Sequence, residues 1–575
     1  MQQSVLSASV ALAIMGTTAA PLALERHLPP KAVVALPAIS SSAEDYHKGD
    51  DTPFGVDIRG VQLIGSREEV GQPGPGISLG HLEGVPRATI EAALRPFLGT
   101  ALSEASISQL QSVVAAVWRD AGYPFVSVTV PPQEISDGVL SLRVMEFRAG
   151  VVEVRGSSEP NLAGVVRVHP GGRISASALE EDLDWLNRNP FRQVTAQFSP
   201  SRAAGASDLT LNVTESKPWS VYSGWSNSGS EATGLARWTV GGLLWLPMFG
   251  SASLGYRHTR SDDLFTDSAS SGGNASRGGY MSHAGTIDLP LGPRAMFSVA
   301  PSMVETSEII TGTLFSFRNR TFELPILYRS AVSNVLSGHY LGDFYFGITP
   351  RWVERTTAFA GVDVAIGNAA LMDFNFGWAG SVRDSIGYTK LDLSVAVNPG
   401  GILSDNTDAA WVDFTGGRLE RAGYVTASID ITRLTELSAD LVWISEFTGL
   451  VAGSALPDPV RLGMSGFGAV RGSSSDVAAS DTGFVWRNEL RLPTLTPLMQ
   501  IGLSDELSPY AFFDLAHGYD FNAGDTTTLA STGLGLDYAL GNNFKANLTG
   551  AVNLIGANDA EQGDWSLSAS LSLTY

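Results

Sequence analysis

The chain has 575 residues, enough for several domains; 17% of them are charged and the formal net charge is −21. That acidity argues against nucleic acid as a partner, because phosphate binding wants a basic patch, and the absence of cysteine excludes a disulfide scaffold and a thiolate metal site. Mean hydropathy is +0.08, yet no run of about 18 apolar residues suits a transmembrane helix.

The stretch Val5 to Met15 is apolar, and small residues follow it at Gly16 to Ala20 and Ala23. Residues 1–23 therefore read as a secretory signal peptide, too short to span a bilayer. No Lys or Arg precedes the apolar run, so the usual basic lead is missing. Residues 24–53 are Pro/Ser/Ala-rich and read as a linker; a plug segment there is implied only by the family resemblance that later phrases carry, and Pro29, Pro30 and Pro37 stand against a long helix.

From Phe54 to Pro218 the pattern is soluble α+β. Val56, Ile58, Val61, Leu63 and Ile64 suggest an opening strand. Ile107, Leu110, Val113, Val114, Val117 and Trp118 fall at helical spacing. Gly122 and Pro124 stop that helix, Phe125 to Val130 is a strand, and Asp137-Gly138 signals a hairpin into Val139 to Phe147. A shorter version of the unit follows: a strand at Val151 to Val154, a helix face of Leu179, Leu183 and Leu186, and Pro190-Phe191 ahead of another strand. Two tandem modules, 54–148 and 149–216, are the natural division.

From Lys217 onward the period becomes two. Val425, Ala427, Ile429 and Ile431 oppose Tyr424, Thr426, Ser428, Asp430 and Thr432. Phe484, Trp486, Leu490 and Leu492 oppose Val485, Arg487, Glu489 and Arg491. In the closing segment, Trp565, Leu567, Ala569, Leu571, Leu573 and Tyr575 alternate with Ser or Thr at every other position. Packed against a core, Arg487, Glu489 and Arg491 would be three costly buried charges; facing a water-filled lumen they cost little. The pattern is that of an outer-membrane β-barrel over 217–575, lipid outside and polar lumen inside, with Tyr575 as a C-terminal assembly signal at the interface girdle.

Enzyme signatures are missing. Gly463-Met464-Ser465-Gly466-Phe467 fails as a nucleophile elbow at its last position, and there is no zinc-protease His pair and no phosphate loop. The eight histidines form no ligand cluster; His517, near Asp514, reads as a lumenal polar residue. No enzyme activity, cofactor or metal is expected.

Several phrases, taken in order, resemble the two-partner secretion transporters (the haemolysin-activator and haemagglutinin-exporter type), whose polypeptide-transport-associated (POTRA) domains precede a barrel. They are Gly122-Tyr123, Pro131-Pro132-Gln133 with Asp137-Gly138, Asn187-Arg188-Asn189-Pro190-Phe191-Arg192, and Asn227-Ser228-Gly229-Ser230 with Thr233-Gly234. Ser226-Asn227 stands where the family commonly has Asp-Asn. Gly466-Phe467-Gly468-Ala469-Val470-Arg471-Gly472 resembles the Val-Arg-Gly signature of the sixth extracellular loop, which folds back into the barrel. The resemblance implies that Val470, Arg471 and Gly472 are locked in place by Asp514, in Phe512-Phe513-Asp514-Leu515-Ala516, where Ala516 replaces the usual Gly.

The resemblance further implies a transmembrane barrel of about 16 antiparallel strands behind two small α+β POTRA domains in the periplasm of a Gram-negative cell. Its implied function is export of a large unfolded adhesin- or haemolysin-like partner to the cell surface. The other implied partners are outer-membrane lipid and the barrel-assembly machinery, with the chain a monomer. An outer-membrane protein-assembly insertase of the same superfamily and a diffusion porin are the alternatives. In a wet lumen, losing one side of the Arg471–Asp514 pair would cost ~1–2 kcal/mol, as for one charged hydrogen bond.

Overall fold

A computed structural model describes residues 39–40 and 49–575, apart from 67, 72–73, 83, 124, 158, 160–161, 204, 231, 262–278, 310–313, 337–339, 439–440, 474–477, 500–501 and 559. The expected signal peptide, most of the linker or plug segment, and Pro124 lie outside the described residues. The chain divides into two compact units, one holding the α+β part and one holding the part from Lys217 onward.

The α+β unit contains two sheets. In the first, strands run in the order Gly76–Leu79, Gly60–Ile64, Val139–Glu146, Val126–Thr129. Helices α1 (Arg87–Leu94) and α2 (Glu104–Asp120) supply its other layer. The helical spacing in α2 buries Leu110, Val114 and Trp118 against Leu63, Leu140 and Leu142, so one apolar face serves one core. Ser103 opens α2 with a reciprocal capping box to Ser106. Two elements were silent in the sequence: α1 and the strand Gly76–Leu79, which is short and lies in Gly/Pro-rich chain. The Asp137-Gly138 hairpin is corrected. Val126–Thr129 and Val139–Glu146 do pair antiparallel, but a nine-residue stretch, 130–138, joins them. Gly138, at φ 72°, ends that stretch where an added Cβ would meet the Asp57 carbonyl at 2.2 Å.

The second sheet runs Ile39–Ser40, Arg192–Pro200, Ala206–Glu215, Arg148–Arg155, with helix α3 (Ala176–Leu186) burying Leu179, Leu183 and Leu186. Ile39–Ser40 adds as a parallel strand to Ala196 and Gln197. The phrase Asn187 to Arg192 is explained locally. Asn187 brackets the Val194 backbone, donating to its carbonyl at 3.0 Å and accepting its N–H at 2.6 Å. Asn189 accepts the Phe191 N–H at 2.9 Å in an Asx turn. Arg192 caps the end of α3 through the Leu186 carbonyl.

From Trp219 to Thr574 the chain forms a closed antiparallel barrel. Eighteen hydrogen-bonded segments make 16 strands, because two strands are broken near prolines. Ala295–Val299 and Ser302–Ile309 both pair with Gly279–Pro290 across Pro301, and Phe315–Glu323 and Ile326–Ala331 both pair with Asp343–Phe359 across Pro325. The outer face is apolar and exposed: Trp565 is 76% exposed, Leu567 53% and Leu573 56%. Trp486, Leu490 and Leu492 are exposed on the same outer face, while Val485 is buried and Arg487, Glu489 and Arg491 make ion pairs inside. Strand length is uneven, reaching 23 residues in Val362–Asp384.

The first strand, Trp219–Ser226, meets the last, Trp565–Thr574, from Ser570↔Ser226 to Thr574↔Tyr222. Beyond that short ladder the Asn227 carboxamide continues the seam, accepting the Ala569 N–H at 2.7 Å and donating to the Leu567 carbonyl at 2.8 Å. At the other end Tyr575 and Val221 exchange backbone hydrogen bonds. The Tyr575 ring lies 5.7 Å from that of Trp219, under the Lys217 ammonium at 4.2 Å.

Candidate functional site: a loop pinned inside the barrel

The loop between Leu441–Ala452 and Thr482–Arg491 turns back into the lumen. Its base is a two-stranded ribbon, Leu462–Gly463 with Ala479–Ser480. Its tip makes a tight bridge, with the Val470 N–H bonding to the Met464 carbonyl and the Gly466 N–H to the Val470 carbonyl. Met464, Ala469 and Val470 are buried against Val485, Ala516 and Leu529 of the wall. Ala516, fully buried, therefore uses its methyl where the resemblance leads one to expect glycine.

Arg471 sits at the centre. Its Nε donates to Asp514 Oδ2 at 2.7 Å and its Nη2 to Asp514 Oδ1 at 2.8 Å, a bidentate pair. Its backbone N–H also reaches Asp514 Oδ2, at 3.1 Å. Nη1 donates to Glu489 Oε1 at 2.6 Å, and the guanidinium lies 3.9 Å over the Phe512 ring. Strand alternation brings these together: Phe512, Asp514 and Ala516 share one face, and Arg487 is the cross-strand partner of Asp514. Gly472 follows at φ 114°, where an added Cβ would stand 2.6 Å from Asn553 Oδ1. Both its backbone and its space demand glycine.

Val470, Arg471, Gly472 and Asp514, which the resemblance groups, are adjacent in the structure. It also joins Arg487, Glu489 and Arg491 to the same group. Glu489 bridges Arg471 and Arg491, the latter at 2.9 Å. Arg491 reaches Asp537 at 2.8 Å, and Arg487 reaches Glu446 at 2.9 Å. Two readings are corrected. The pair does not sit in open water: Arg471 is 4% exposed and Asp514 0%, because the loop itself and Phe512 cover it. His517 is not lumenal. Three residues from Asp514 is an odd step along a strand, so His517 lies on the outer face, exposed and bonded to Thr528 Oγ1.

A second buried knot was not foreseen. Arg351, 3% exposed, reaches Glu323 and, at 3.4 Å, Asp373, and Tyr424 donates to Asp373. Arg351 is buried within its strand, and nothing in its sequence surroundings marks its three partners, which come from three other strands. Among the described residues no group of three or more His, Asp or Glu is placed to hold a metal ion.

An inward-folded loop held by a buried arginine, in a 16-stranded barrel preceded by small α+β modules, defines an outer-membrane barrel of the POTRA-bearing class. The chain belongs to the haemolysin secretion/activation protein family ShlB/FhaC/HecB, whose profile matches residues 205–538. Residues 76–146 match the ShlB-type POTRA domain, and the outer membrane is where such a protein resides. The chain is 25% identical to the outer membrane transporter CdiB-2 of Burkholderia pseudomallei (strain 1026b) over 401 residues, 67% of this chain and 63% of that protein. It is 24% identical to the heme/hemopexin transporter protein HuxB of Haemophilus influenzae (strain 86-028NP) over 153 residues, 26% of this chain and 27% of that protein. The matched regions thus span less than two thirds of these relatives. The structure of CdiB from Escherichia coli aligns with a TM-score of 0.69 at 16% identity, covering 97% of this chain and 94% of that one. CdiB from Acinetobacter baumannii gives 0.59 at 15%, covering 93% of each. At such identities the likeness is one of fold.

Proposed function

We propose that this protein exports a large unfolded partner protein from the periplasm to the cell surface. The carrying observation is a closed barrel whose lumen holds a folded-back loop, pinned by one arginine between Asp514 and Glu489. Such a loop is an obstruction held by a few strong, directional contacts together with a small apolar cluster against the wall. Family membership and the transporter names of its relatives support the same reading.

The POTRA modules, with domain limits near 54–148 and 149–216, supply receptors for an extended chain. Their sheets present the edge strands Val126–Thr129 and Arg148–Arg155, which suit recognition by strand addition. No nucleotide is required: folding of the passenger outside removes its unfolded form from the pore and gives direction. The role is transport and not catalysis. The chain acts as a monomer in outer-membrane lipid, and Tyr575, exposed at the end of the closing strand, serves as the signal read by the barrel-assembly machinery.

The test is secretion of a candidate large exoprotein co-expressed with this chain. Deleting Phe54–Pro218 should abolish export while a heat-modifiable, ion-conducting barrel remains in the membrane. Export that survives the deletion would remove the modules from the receptor role.

A further inference from the structure

The pinned loop is not the only one lying on the inner wall. Residues 399–423, between Gly387–Asn398 and Tyr424–Ser438, carry the short helix α4 (Asp408–Thr415). Thr407 caps it, accepting the Ala410 N–H at 3.2 Å. Trp411 anchors it, donating from Nε1 to the Ala370 carbonyl at 2.9 Å. Trp411 and Phe414 are buried with Val353, Leu371 and Tyr424, which share the inner face with Arg351 and Asp373. Leu456, fully buried in the same cluster, belongs to the other loop, 453–481. The two loops thus share one dry core.

A polar joint ties them as well. Arg418, just after α4, donates from Nη1 to the Leu456 carbonyl at 3.1 Å and from Nη2 to Asp458 Oδ1 at 2.7 Å. Asp458 lies 3.9 Å from Arg461, which in turn reaches Asp481 at 3.2 Å and pairs with Asp520. The base of the 453–481 loop is therefore held on one side by the wall, through Asp520, and on the other by the neighbouring loop, through Arg418.

We propose that loop 399–423 and the described part of the neighbouring loop, residues 453–473, move as a single gate, with Arg418 as the positioning residue that couples them. The proposal rests on the export reading for its purpose but not for its geometry. Releasing Arg471 alone does not free the long loop. Either α4 travels with it, or the joint at Asp458 breaks and Leu456 is stripped from Trp411. The guanidinium of Arg418 serves a carbonyl and a carboxylate at once, which a lysine ammonium at the same place does not reproduce. This gives the wall around Arg351 a role too, as the seat on which α4 rests when the gate is closed.

The experiment uses the full-length protein in lipid. The chain has no cysteine, so spin labels go only where they are placed: Val412→Cys on the exposed side of α4 and Thr526→Cys on an exposed strand end at the rim. In the Arg471→Ala background the inter-label distance distribution should broaden, because α4 leaves with the long loop. Adding Arg418→Ala should restore a narrow distribution for α4, and Arg418→Lys should fall between. Channel openings in planar bilayers should rise about ten-fold for Arg418→Ala, the change expected when one charged hydrogen bond worth ~1.4 kcal/mol is lost. An α4 distribution that stays narrow in Arg471→Ala overturns the coupling, as does an opening rate indifferent to Arg418. Heat-modifiability of each variant shows that the barrel has formed. A coupling that is present in a protein that secretes no partner would instead sink the export reading.

Discussion

The first POTRA module and the barrel solve the burial problem in opposite senses. In the first module Leu63, Leu94, Leu110, Trp118, Leu140 and Leu142 are buried to 1% exposure or less, and charges lie outside. In the barrel the exposed side chains are Trp565, Leu567 and Leu573, while Arg351, Asp373, Arg471 and Asp514 are buried within. One set of residues is sheltered from water by the protein and the other by lipid, so the same alternating strand means different things in each. Burial in the barrel measures loop placement as much as packing: Asp514 is covered by Arg471 of the folded-back loop together with Phe512 of its own strand.

The comparison breaks most sharply under truncation of large apolar residues. Trp118→Ala should cost ~3–5 kcal/mol, since nothing refills the cavity between α2 and its sheet. Leu571→Ala, on the outer face, should cost roughly 1 kcal/mol or less, because acyl chains are as apolar as leucine and occupy the space. Hydrogen exchange of the Gly60–Ile64 strand reads the first, and the urea midpoint of the barrel in lipid vesicles reads the second. Equal losses at the two sites would show that the outer face packs against protein and not lipid.

Arg471→Ala is next in size, and it sharpens the point about coverage. With Arg471 and Asp514 buried and Glu489 sharing the cation, the loss should be ~3 kcal/mol, the lower end for breaking a buried pair, and above the wet-lumen expectation. Arg471→Lys keeps the charge but not the bidentate geometry and should recover only part of it. Asp514→Ala should be milder than Arg471→Ala, because Glu489 still neutralises the arginine. In a double-mutant cycle the two losses should fall well short of adding. Protease susceptibility of the 453–481 loop in the folded barrel measures all four variants, and simple additivity would show that the residues act independently.

How far the sequence was legible follows the same division. Period-two strands such as Thr482–Arg491 and Trp565–Thr574 announced both their faces, because lipid and lumen impose an alternation that no local effect disguises. Arg471 and Asp514 were legible only through the resemblance; no spacing links residues 43 apart. Glu489 was legible as a lumenal charge and not as a partner of Arg471, since its reach to Arg471 depends on where the loop tip comes to rest. The strand Gly76–Leu79 was hidden because four residues among glycines and prolines carry too little pattern. Helix α4 was hidden because eight residues in a Gly/Asp-rich loop show no clean stripe. The knot around Arg351 draws partners from three separate strands, and only the closed barrel brings them together. His517 is near Asp514 in sequence, but an odd step along a strand turns it to the opposite face.

The smallest expected effect lies back in the soluble unit, where charge is used at the surface. Glu68 accepts the N–H of Gly65 and of His81, both at 2.8 Å, and so ties together the ends of the paired strands Gly60–Ile64 and Gly76–Leu79. Those two backbone hydrogen bonds, Gly65 first, hold its carboxyl below the usual carboxylate range. A depressed carboxylate contributes stability that is present above its unfolded value, ~4.3, and that is lost as the pH falls through the lower folded value. Protection of the Gly65 and His81 amides should therefore decline as the pH falls below the unfolded value near ~4.3. Glu68→Gln, which keeps an acceptor oxygen but cannot titrate, should give weaker protection with no such decline. Because the group is partly open to water, the effect should stay local to the two strand ends and leave the α2 core unchanged. A decline that spread to Leu110 and Leu140 would mean that the tie supports the whole module, and a Glu68→Gln profile that still fell with acid would place the titration on another group.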